Sequence, residues 1–296
     1  MMHEVEWNER FNIGVGIVDK AHQRLFSIVH RLMNFSEDEK RSQWACAEGI
    51  KYFKSYAVKH FAEEEEYMRS IDYNGYTMHK RLHDNMRYKV LPALEKDLED
   101  SDYSEESIHH FLGICLGWLT GHILIEDRAI TGRTVNKWKE EQTGTEVETL
   151  EKTISHVTNE VFKLESKIVS EHYAGEDFGD AIIYRITYRS GEKEQWQIFF
   201  VLEEKLVLAT VGEMLGVKFQ RVDKMVIDAT KQISQQLLKC LGMYFKVTGQ
   251  YKFEKDHLLT RDQLLQEFNS AYPYYSLLFD TGIGYFAFCA KKRIIR

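Results

Sequence analysis

The sequence predicts a multi-domain chain, α and α+β, in which an up-down-up-down four-helix bundle is followed by an α+β domain. Three observations predict this class. The chain has 296 residues, which is more than one hydrophobic core usually organises. Apolar residues at helical spacing fill the first half. After a polar stretch, alternating runs rich in β-branched and aromatic residues appear, which are typical of strands.

Four helices are predicted in the first half, and their short polar connections favour antiparallel neighbours. Polar or turn-forming residues at 36–39, 72–75 and 100–104 separate them. Pro92 is expected to bend or end the third helix, and Gly132 to end the fourth. The predicted helices cover residues 18–35, 44–68, 77–98 and 105–130.

The predicted domains are residues 1–135, a linker at 136–149, and residues 150–296. In the last of these, an amphipathic helix is expected first and a strand last, with a turn at Ser190-Gly191 between two strands. The predicted elements are helix 150–173, strands 181–188 and 195–202, helices 206–215 and 222–241, and strand 284–290.

Composition narrows the functional classes. The net charge is −7, which gives no general attraction to nucleic acid or to an anionic membrane. No stretch of about 18 apolar residues is apparent, so no membrane span is expected. The four cysteines lie far apart and form no C-x-x-C pair, which predicts a reducing, cytoplasmic setting rather than a disulfide framework.

The histidine spacing in the first half predicts a metal centre. His60 and Glu64 are four residues apart, so they share one face of a helix, and the same holds for His79 and His83. Histidines and carboxylates occur on all four predicted helices, alternately near a beginning and near an end. In an antiparallel bundle these positions meet at one level. The predicted ligands are His22, His60, Glu64, His79, His83, His122 and Asp127.

The ligand types favour iron, with manganese as the weaker candidate. Imidazole and carboxylate donors suit these metals, whereas zinc prefers four ligands and calcium prefers oxygen alone. Isolated histidines elsewhere in this half are interpreted as surface or ordinary packing residues. The run Glu63–Glu66 is interpreted as a solvated face, apart from Glu64. Asp19 is expected either to orient a ligand or to cap the first helix.

At these positions the sequence resembles the bacterial hemerythrins over residues 1 to about 135. The resemblance rests on GIVDKAH at 16–22, HFAEEE at 60–65, HKRLH at 79–83 and GWLTGHILIED at 117–127, together with Trp7. It implies that two iron ions with an oxo or hydroxo bridge bind dioxygen reversibly. It also implies that His79, His83 and His122 bind one iron, that His22 and His60 bind the other, and that Glu64 and Asp127 bridge them.

The resemblance further implies an apolar oxygen pocket, which would exclude water from the metal pair. Its walls are expected to be Leu25, Phe61, Trp118, Leu119 and Ile123, although ordinary core packing would explain the same residues. No acid or base is apparent beside the pocket, which favours binding over turnover.

Residues 150–296 resemble the CheX/CheC type of chemotaxis phosphatase. That family uses an E-x-x-N pair, and the matching place here is Gln232-Ile233-Ser234-Gln235, where the glutamate is missing. Phosphatase activity is therefore not expected.

The leading hypothesis is an oxygen sensor, not an enzyme, that signals through the second domain to a response regulator or another signalling protein, or by forming a homodimer. The alternatives are oxygen storage or delivery, and a di-iron enzyme that acts on peroxide or nitric oxide.

Overall fold

A computed structural model describes residues 9–35, 42–132, 146–190, 194–241 and 252–294. Trp7, the polar segment 36–39, most of the predicted linker and Gly191 lie outside these residues. The chain divides into two compact units. The first is helical and includes residues 9–132. The second contains the sheet and includes residues 146–212 and 233–294, while 213–217 and 223–232 are grouped with the first unit.

The first unit is the predicted four-helix bundle, in which each long helix packs on its neighbours in the chain and the first packs on the fourth. A short 3-10 turn, Glu9–Phe11, precedes it. The helices are α1 (Gly16–Phe35), α2 (Ser42–Ser70), α3 (Tyr76–Asn85) continued by α4 (Leu91–Asp100), and α5 (Glu105–Gly121) continued by α6 (Arg128–Ile130).

Both continued helices contain a π-helical turn, at Met86–Val90 and at His122–Asp127. The first π turn lies just before Pro92, which does not end the third helix, because α4 continues it to Asp100. Because proline has no N–H and its ring crowds the preceding turn, the hydrogen bonds there must rearrange. The Leu91 N–H instead reaches back five residues to the Met86 carbonyl. The fourth helix ends as predicted, and Gly132 adopts a positive φ of 70° just beyond it.

The fourth helix is more apolar than the sequence analysis expected. An 18-residue window within Glu105–Ile130 has a mean hydropathy of 1.4, and 83% of that window is buried within the protein. A helix that is hydrophobic on most sides is typical either of a membrane span or of a bundle core. Its burial among the other helices agrees with the second of these.

The second unit is α+β. Among the described residues, six strands form one antiparallel sheet in the order β1-β5-β6-β3-β2-β4. The strands are β1 (Lys167–Ser170), β2 (Ala181–Ser190), β3 (Glu194–Glu203), β4 (Lys252–Leu259), β5 (Tyr275–Asp280) and β6 (Tyr285–Ile294). The helices are α7 (Glu146–Phe162), α8 (Glu204–Leu215), α9 (Lys224–Leu241) and α10 (Arg261–Ser270).

Two hydrophobic cores cover the two faces of this sheet. Because side chains alternate along a strand, Tyr184 and Phe200 face one core, which α7 and the end of α9 complete, whereas Ile183 and Phe199 face the other. Leu264 of α10 belongs to the second core.

One predicted element is wrong in its extent. The helix expected at 150–173 ends at Phe162, because Lys163 adopts the left-handed conformation with φ of 57°. Residues 167–170 then pair with β5 as strand β1. Strands β4 and β5 and helix α10 were not predicted.

Candidate metal centre

The seven predicted ligands converge in the interior of the first unit, and each is at most 2% exposed. Two carboxylates connect the five imidazoles. Asp127 carboxylate oxygens lie 3.3 Å from His22 Nε2, 3.3 Å from His79 Nε2 and 3.0 Å from His122 Nε2. Glu64 Oε2 lies 3.2 Å from His83 Nε2, 3.6 Å from His79 Nε2 and 4.0 Å from His60 Nε2. The described residues thus bring together every predicted ligand.

The ligand atoms form two groups that share Glu64. In one group, Glu64 stands with His79, His83, His122 and Asp127; in the other, it stands with His22 and His60. Within each group the candidate ligand atoms lie within 4.8 Å of one another. Asp127 also contacts His22, so both carboxylates reach imidazoles of both groups. This arrangement suits two neighbouring cations.

Helix geometry explains how each pair of ligands faces inward. His60 with Glu64, and His79 with His83, use the ordinary i, i+4 spacing of an α-helix. His122 and Asp127 are five residues apart, a spacing that an α-helix would not align. The π-helical turn His122–Asp127 closes with i→i+5 hydrogen bonds and therefore brings the two side chains to the same side.

Burial and neighbouring charges set the protonation of the cluster. Burial and, to a smaller extent, the adjacent His22 together lower the pKa of His60 to about 3. Burial also lowers the pKa of His122 to about 4, although Asp127 opposes this. Burial acts the same way on His79, but the close approach of the Asp127 and Glu64 carboxylates outweighs it and raises the pKa of His79 to about 10.

The two carboxylates are held ionised. Burial and the charge of Asp127 raise the pKa of Glu64, but the close contacts of His79 and His83 outweigh them and leave it below the usual range. Burial likewise raises the pKa of Asp127, while the contacts of His122, His22 and His79 lower it by more. Ionised carboxylates and neutral imidazoles are the forms that bind metal ions, so metal binding would displace the proton that the two carboxylates favour on His79.

Buried polar atoms without hydrogen-bond partners indicate whether the cluster fits a metal ion. Both ring nitrogens of His22 and of His79, and both carboxylate oxygens of Glu64 and of Asp127, are buried without a hydrogen bond. Leaving so many polar groups unpaired in an interior is costly, since each loses its water. Cations among them would supply the missing partners. The donor set of imidazole and carboxylate without sulfur fits iron or manganese better than a structural zinc site.

Aromatic rings cover one side of the cluster. Phe61 stacks on His83 and Trp118 stacks on His122, each with ring centroids 4.3 Å apart, and Phe61 and Trp118 meet at 5.4 Å. Leu25, Leu119 and Ile123 are also buried in this unit. All five residues expected around the oxygen pocket are therefore in the bundle interior, and the two rings contact histidines of the larger group.

The structure shows the contacts of two residues, Glu65 and Asp19, whose roles were interpreted from the sequence. Glu65 is not part of a solvated face: it is 6% exposed, and its Oε1 lies 3.3 Å from His83 Nδ1 and accepts a bond from Arg87. Asp19 lies in the first turn of α1, and its carboxylate accepts the N–H groups of Ile13 and Gly14, which precede the helix. These bonds tie the preceding segment to the start of α1, and neither involves a predicted ligand.

The sequence patterns did not reveal that Glu65 and Arg87 are neighbours of the candidate metal centre. Arg87 follows His83 by four residues, which places both on one face of the third helix. That spacing was the available signal, but a run of four glutamates concealed which of them faced inward.

In the second unit, Gln235 does not project freely from α9. Its Nε2 donates to the Tyr184 hydroxyl at 2.7 Å and lies 3.3 Å from an Asp256 carboxylate oxygen. The Tyr184 hydroxyl donates to the same Asp256 carboxylate. The amide is therefore already engaged inside this unit.

A helical bundle whose interior presents five histidines and two carboxylates defines a histidine–carboxylate metal-binding protein. Comparison with known proteins agrees: residues 13–133 match the hemerythrin HHE cation binding domain. A bacteriohemerythrin of Clostridium acetobutylicum is 32% identical over 127 residues, which are 41% of this chain and 95% of that protein. The chain belongs to the hemerythrin family.

More distant relatives match the same share of the chain. A bacteriohemerythrin of Pseudomonas aeruginosa strain LESB58 is 25% identical over 126 residues, covering 43% of this chain and 78% of its own length. The myohemerythrin of Sipunculus nudus is 26% identical over 127 residues, covering 43% of this chain and 91% of its own length.

Solved structures of chemotaxis proteins are also similar to part of the chain. The chemotaxis protein CheX from Vibrio vulnificus aligns with a TM-score of 0.35 and 12% identity, over 52% of this chain and all of that one. A CheC-like protein from Shewanella sp. PV-4 aligns with a TM-score of 0.35 and 13% identity, over 50% of this chain and 99% of that one.

Proposed function

We propose that the first unit holds two iron ions and binds dioxygen reversibly. His79, His83 and His122 would hold one iron, His22 and His60 the other, and Glu64 and Asp127 would bridge them. The observation that carries the proposal is the convergence of these seven buried side chains, six of which have ring nitrogens or carboxylate oxygens without a hydrogen-bond partner. When bound, a pair of ferrous ions would supply the two electrons that reversible dioxygen binding requires.

The chain's own residues would hold the irons and exclude water. The group of His22 and His60 has fewer protein donors than the other group, which makes it the side at which a small ligand would enter. Buried apolar neighbours keep bulk water from the centre, which limits irreversible oxidation. We assign this role to Leu25, Phe61, Trp118, Leu119 and Ile123.

The test combines metal content with an optical spectrum. We expect about two irons per chain. When the reduced protein is exposed to air, we expect a reversible charge-transfer band at roughly 500 nm. His79→Ala and Glu64→Ala should lose iron, because each removes a donor of the larger group and Glu64 also belongs to the smaller one. Glu66→Ala, a change at an exposed neighbour, is the matched control. Fewer than two irons in the wild-type protein, or full iron content in both variants, would contradict the proposal.

We further propose that dioxygen binding is read out as a signal in the cytoplasm. The motivation is that a second unit with its own two hydrophobic cores follows the first, and the relatives' matches cover less than half of this chain. A homodimer or a response regulator would receive the signal. If the oxygenated and deoxygenated forms have the same oligomeric state and the same affinity for a response regulator, storage or delivery of dioxygen remains.

We propose that neither unit is an enzyme. In the second unit, the Gln235 amide that would position water in a phosphatase is bonded to Tyr184 and Asp256. No release of phosphate from a phosphorylated response regulator is therefore expected. In the first unit, steady consumption of peroxide or nitric oxide without a stable oxygenated form would favour a di-iron enzyme instead.

A further inference from the structure

We infer that Glu65 is a positioning residue for His83: its carboxylate fixes the orientation and tautomer of this imidazole and makes His83 the strongest neutral donor of the iron centre. The inference rests on the proposed di-iron function. It concerns an interaction outside the seven ligands, between Glu65 on α2 and His83 on α3.

The geometry places the two ends of the His83 ring in different surroundings. Its Nε2 points into the cluster, 3.2 Å from Glu64 Oε2 and 2.9 Å from His122 Nε2. Its Nδ1 points away from the cluster and lies 3.3 Å from Glu65 Oε1. With Nε2 reserved for the metal, Nδ1 carries the proton and donates it to the carboxylate.

The other four histidines lack such a partner among the described residues. The Nδ1 atoms of His22, His60, His79 and His122 are buried, and none of them makes a hydrogen bond. All five rings direct Nε2 toward the carboxylates of the cluster. His83 is therefore distinguished by what lies behind it rather than by what lies in front of it.

A charged network holds Glu65 in place. The Arg87 guanidinium donates to Glu65 Oε1 at 3.1 Å and to Asp84 at 3.0 Å, and its centre lies 5.7 Å from the Phe61 ring centroid. Lys80 donates to Asp84 and lies 4.0 Å from Glu65 Oε2. Because Arg87 is pinned by Asp84 and packs over the ring that stacks on His83, the Glu65 carboxylate has little freedom to turn away.

The chemical consequence is an asymmetric centre. A carboxylate that accepts the distal N–H of an imidazole raises the electron density on the nitrogen that binds the metal. His83 belongs to the group that already has more protein donors. Glu65 therefore strengthens ligation of the three-histidine iron and leaves exchange to the two-histidine side.

The experiment compares Glu65→Gln, Glu65→Ala and the exposed-neighbour control Glu66→Gln, all in the full, iron-loaded chain. We expect a chelator to remove iron about 10–100-fold faster from Glu65→Ala than from wild type, with Glu65→Gln between them, because glutamine still accepts a bond but carries no charge. Glu66→Gln should match wild type.

The exchangeable ring N–H resonances of the iron ligands give a second readout, which general destabilisation would not produce. In wild type, we expect one such resonance to exchange with solvent more slowly than the other four. It should shift in Glu65→Gln and stay in place in Glu66→Gln. Because the wild-type spectrum needs no substitution, it decides the matter even if Glu65→Ala fails to fold.

Two results separate the hypotheses. If wild type binds two irons but the Glu65 variants release iron at the wild-type rate, or if all five wild-type resonances exchange alike, the role of Glu65 is wrong and the di-iron function stands. If wild type itself holds fewer than two irons, the proposed function fails first.

Discussion

At the scale of single residues, the cluster combines two ionised carboxylates with imidazoles in a space closed to water. Without cations, such an interior is poorly balanced, since buried charges need partners of opposite sign. His79 offsets part of the imbalance, because the nearby carboxylates of Asp127 and Glu64 raise its pKa against the effect of burial. His60 and His122 cannot help in the same way, since burial keeps them neutral at pH 7. The missing positive charge is what metal ions would provide.

A second buried charge in the other unit gives a pH-dependent prediction. Lys291 is 2% exposed and donates to Glu267, which also accepts a bond from Arg185. Burial raises the pKa of Glu267, but Lys291 and Arg185 outweigh it and lower the pKa below its usual value. A lowered folded-state pKa means that Glu267 stabilises the fold above the ordinary glutamate pKa, and that this stability is lost as the pH falls through the lowered value.

Glu267→Gln should therefore destabilise the second unit at pH 7 and destabilise it less at about pH 3, which lies below the ordinary glutamate pKa. We expect a loss of about 2–3 kcal/mol at pH 7, less than for a fully buried pair because the Glu267 side chain is 20% exposed. Urea unfolding at both pH values measures it. Glu171→Gln, at an exposed position, is the control. An equal loss at both pH values would contradict the electrostatic cause.

At the scale of elements, the two π-helical turns have different origins. The turn Met86–Val90 precedes Pro92 and accommodates a missing N–H, whereas the turn His122–Asp127 aligns two ligands five residues apart. A π turn is rare in proteins and occurs frequently at functional sites. Its position across both ligands of the fourth helix indicates that the cluster, rather than local propensity, fixes this segment.

The end of the fourth helix gives an element-scale prediction with a matched control. Gly132 has a φ of 70°, and a Cβ added there would meet nothing within 4 Å, so only backbone strain opposes alanine. Gly132→Ala should lower the stability of the first unit by about 1 kcal/mol. At Gly16, the first residue of α1, a Cβ also meets nothing and φ is not positive, so Gly16→Ala should be neutral or stabilising. Thermal unfolding measures the stability of the two variants. Equal unfolding temperatures for Gly132→Ala and Gly16→Ala would contradict this prediction.

At the scale of the whole molecule, metal binding should affect the two units unequally. A ligand that binds only the folded state stabilises the unit that contains its site. All seven candidate ligands belong to the first unit, and both cores of the sheet belong to the second.

Removing iron should consequently lower the unfolding temperature of the helical unit and leave that of the sheet unit nearly unchanged. We expect the unfolding temperatures of the iron-loaded and iron-free helical unit to differ by at least several degrees. Each kcal/mol of stabilisation shifts the unfolding temperature by roughly 2–8 °C in units of this size, and bound iron should contribute a few kcal/mol. Differential scanning calorimetry of the iron-loaded and chelated protein measures it, with far-ultraviolet circular dichroism reporting the helices. If the unfolding temperature of the helical unit is the same with and without iron, the metal does not contribute to its stability.

Local patterns predicted much of this protein. Helical spacing gave the four helices to within a few residues, because an amphipathic stripe and its turn residues are short-range features. Spacing of four residues selected His60 with Glu64 and His79 with His83, since such side chains share a helix face. The other three candidate ligands, His22, His122 and Asp127, followed from their placement at alternating helix ends. The strands β2, β3 and β6 followed from alternation, but β4, β5 and α10 did not, because their exposed or short segments carry weak patterns.

By itself, then, the sequence determined which residues could be ligands and which helices would carry them, because this depends on periodicity along one helix. The tertiary structure alone decided three further features: the π turn that aligns His122 with Asp127, the inward placement of Glu65, and the engagement of Gln235. Each depends on which side chain of another segment packs against it, and distances between distant parts of a chain are fixed only when the helices and strands meet.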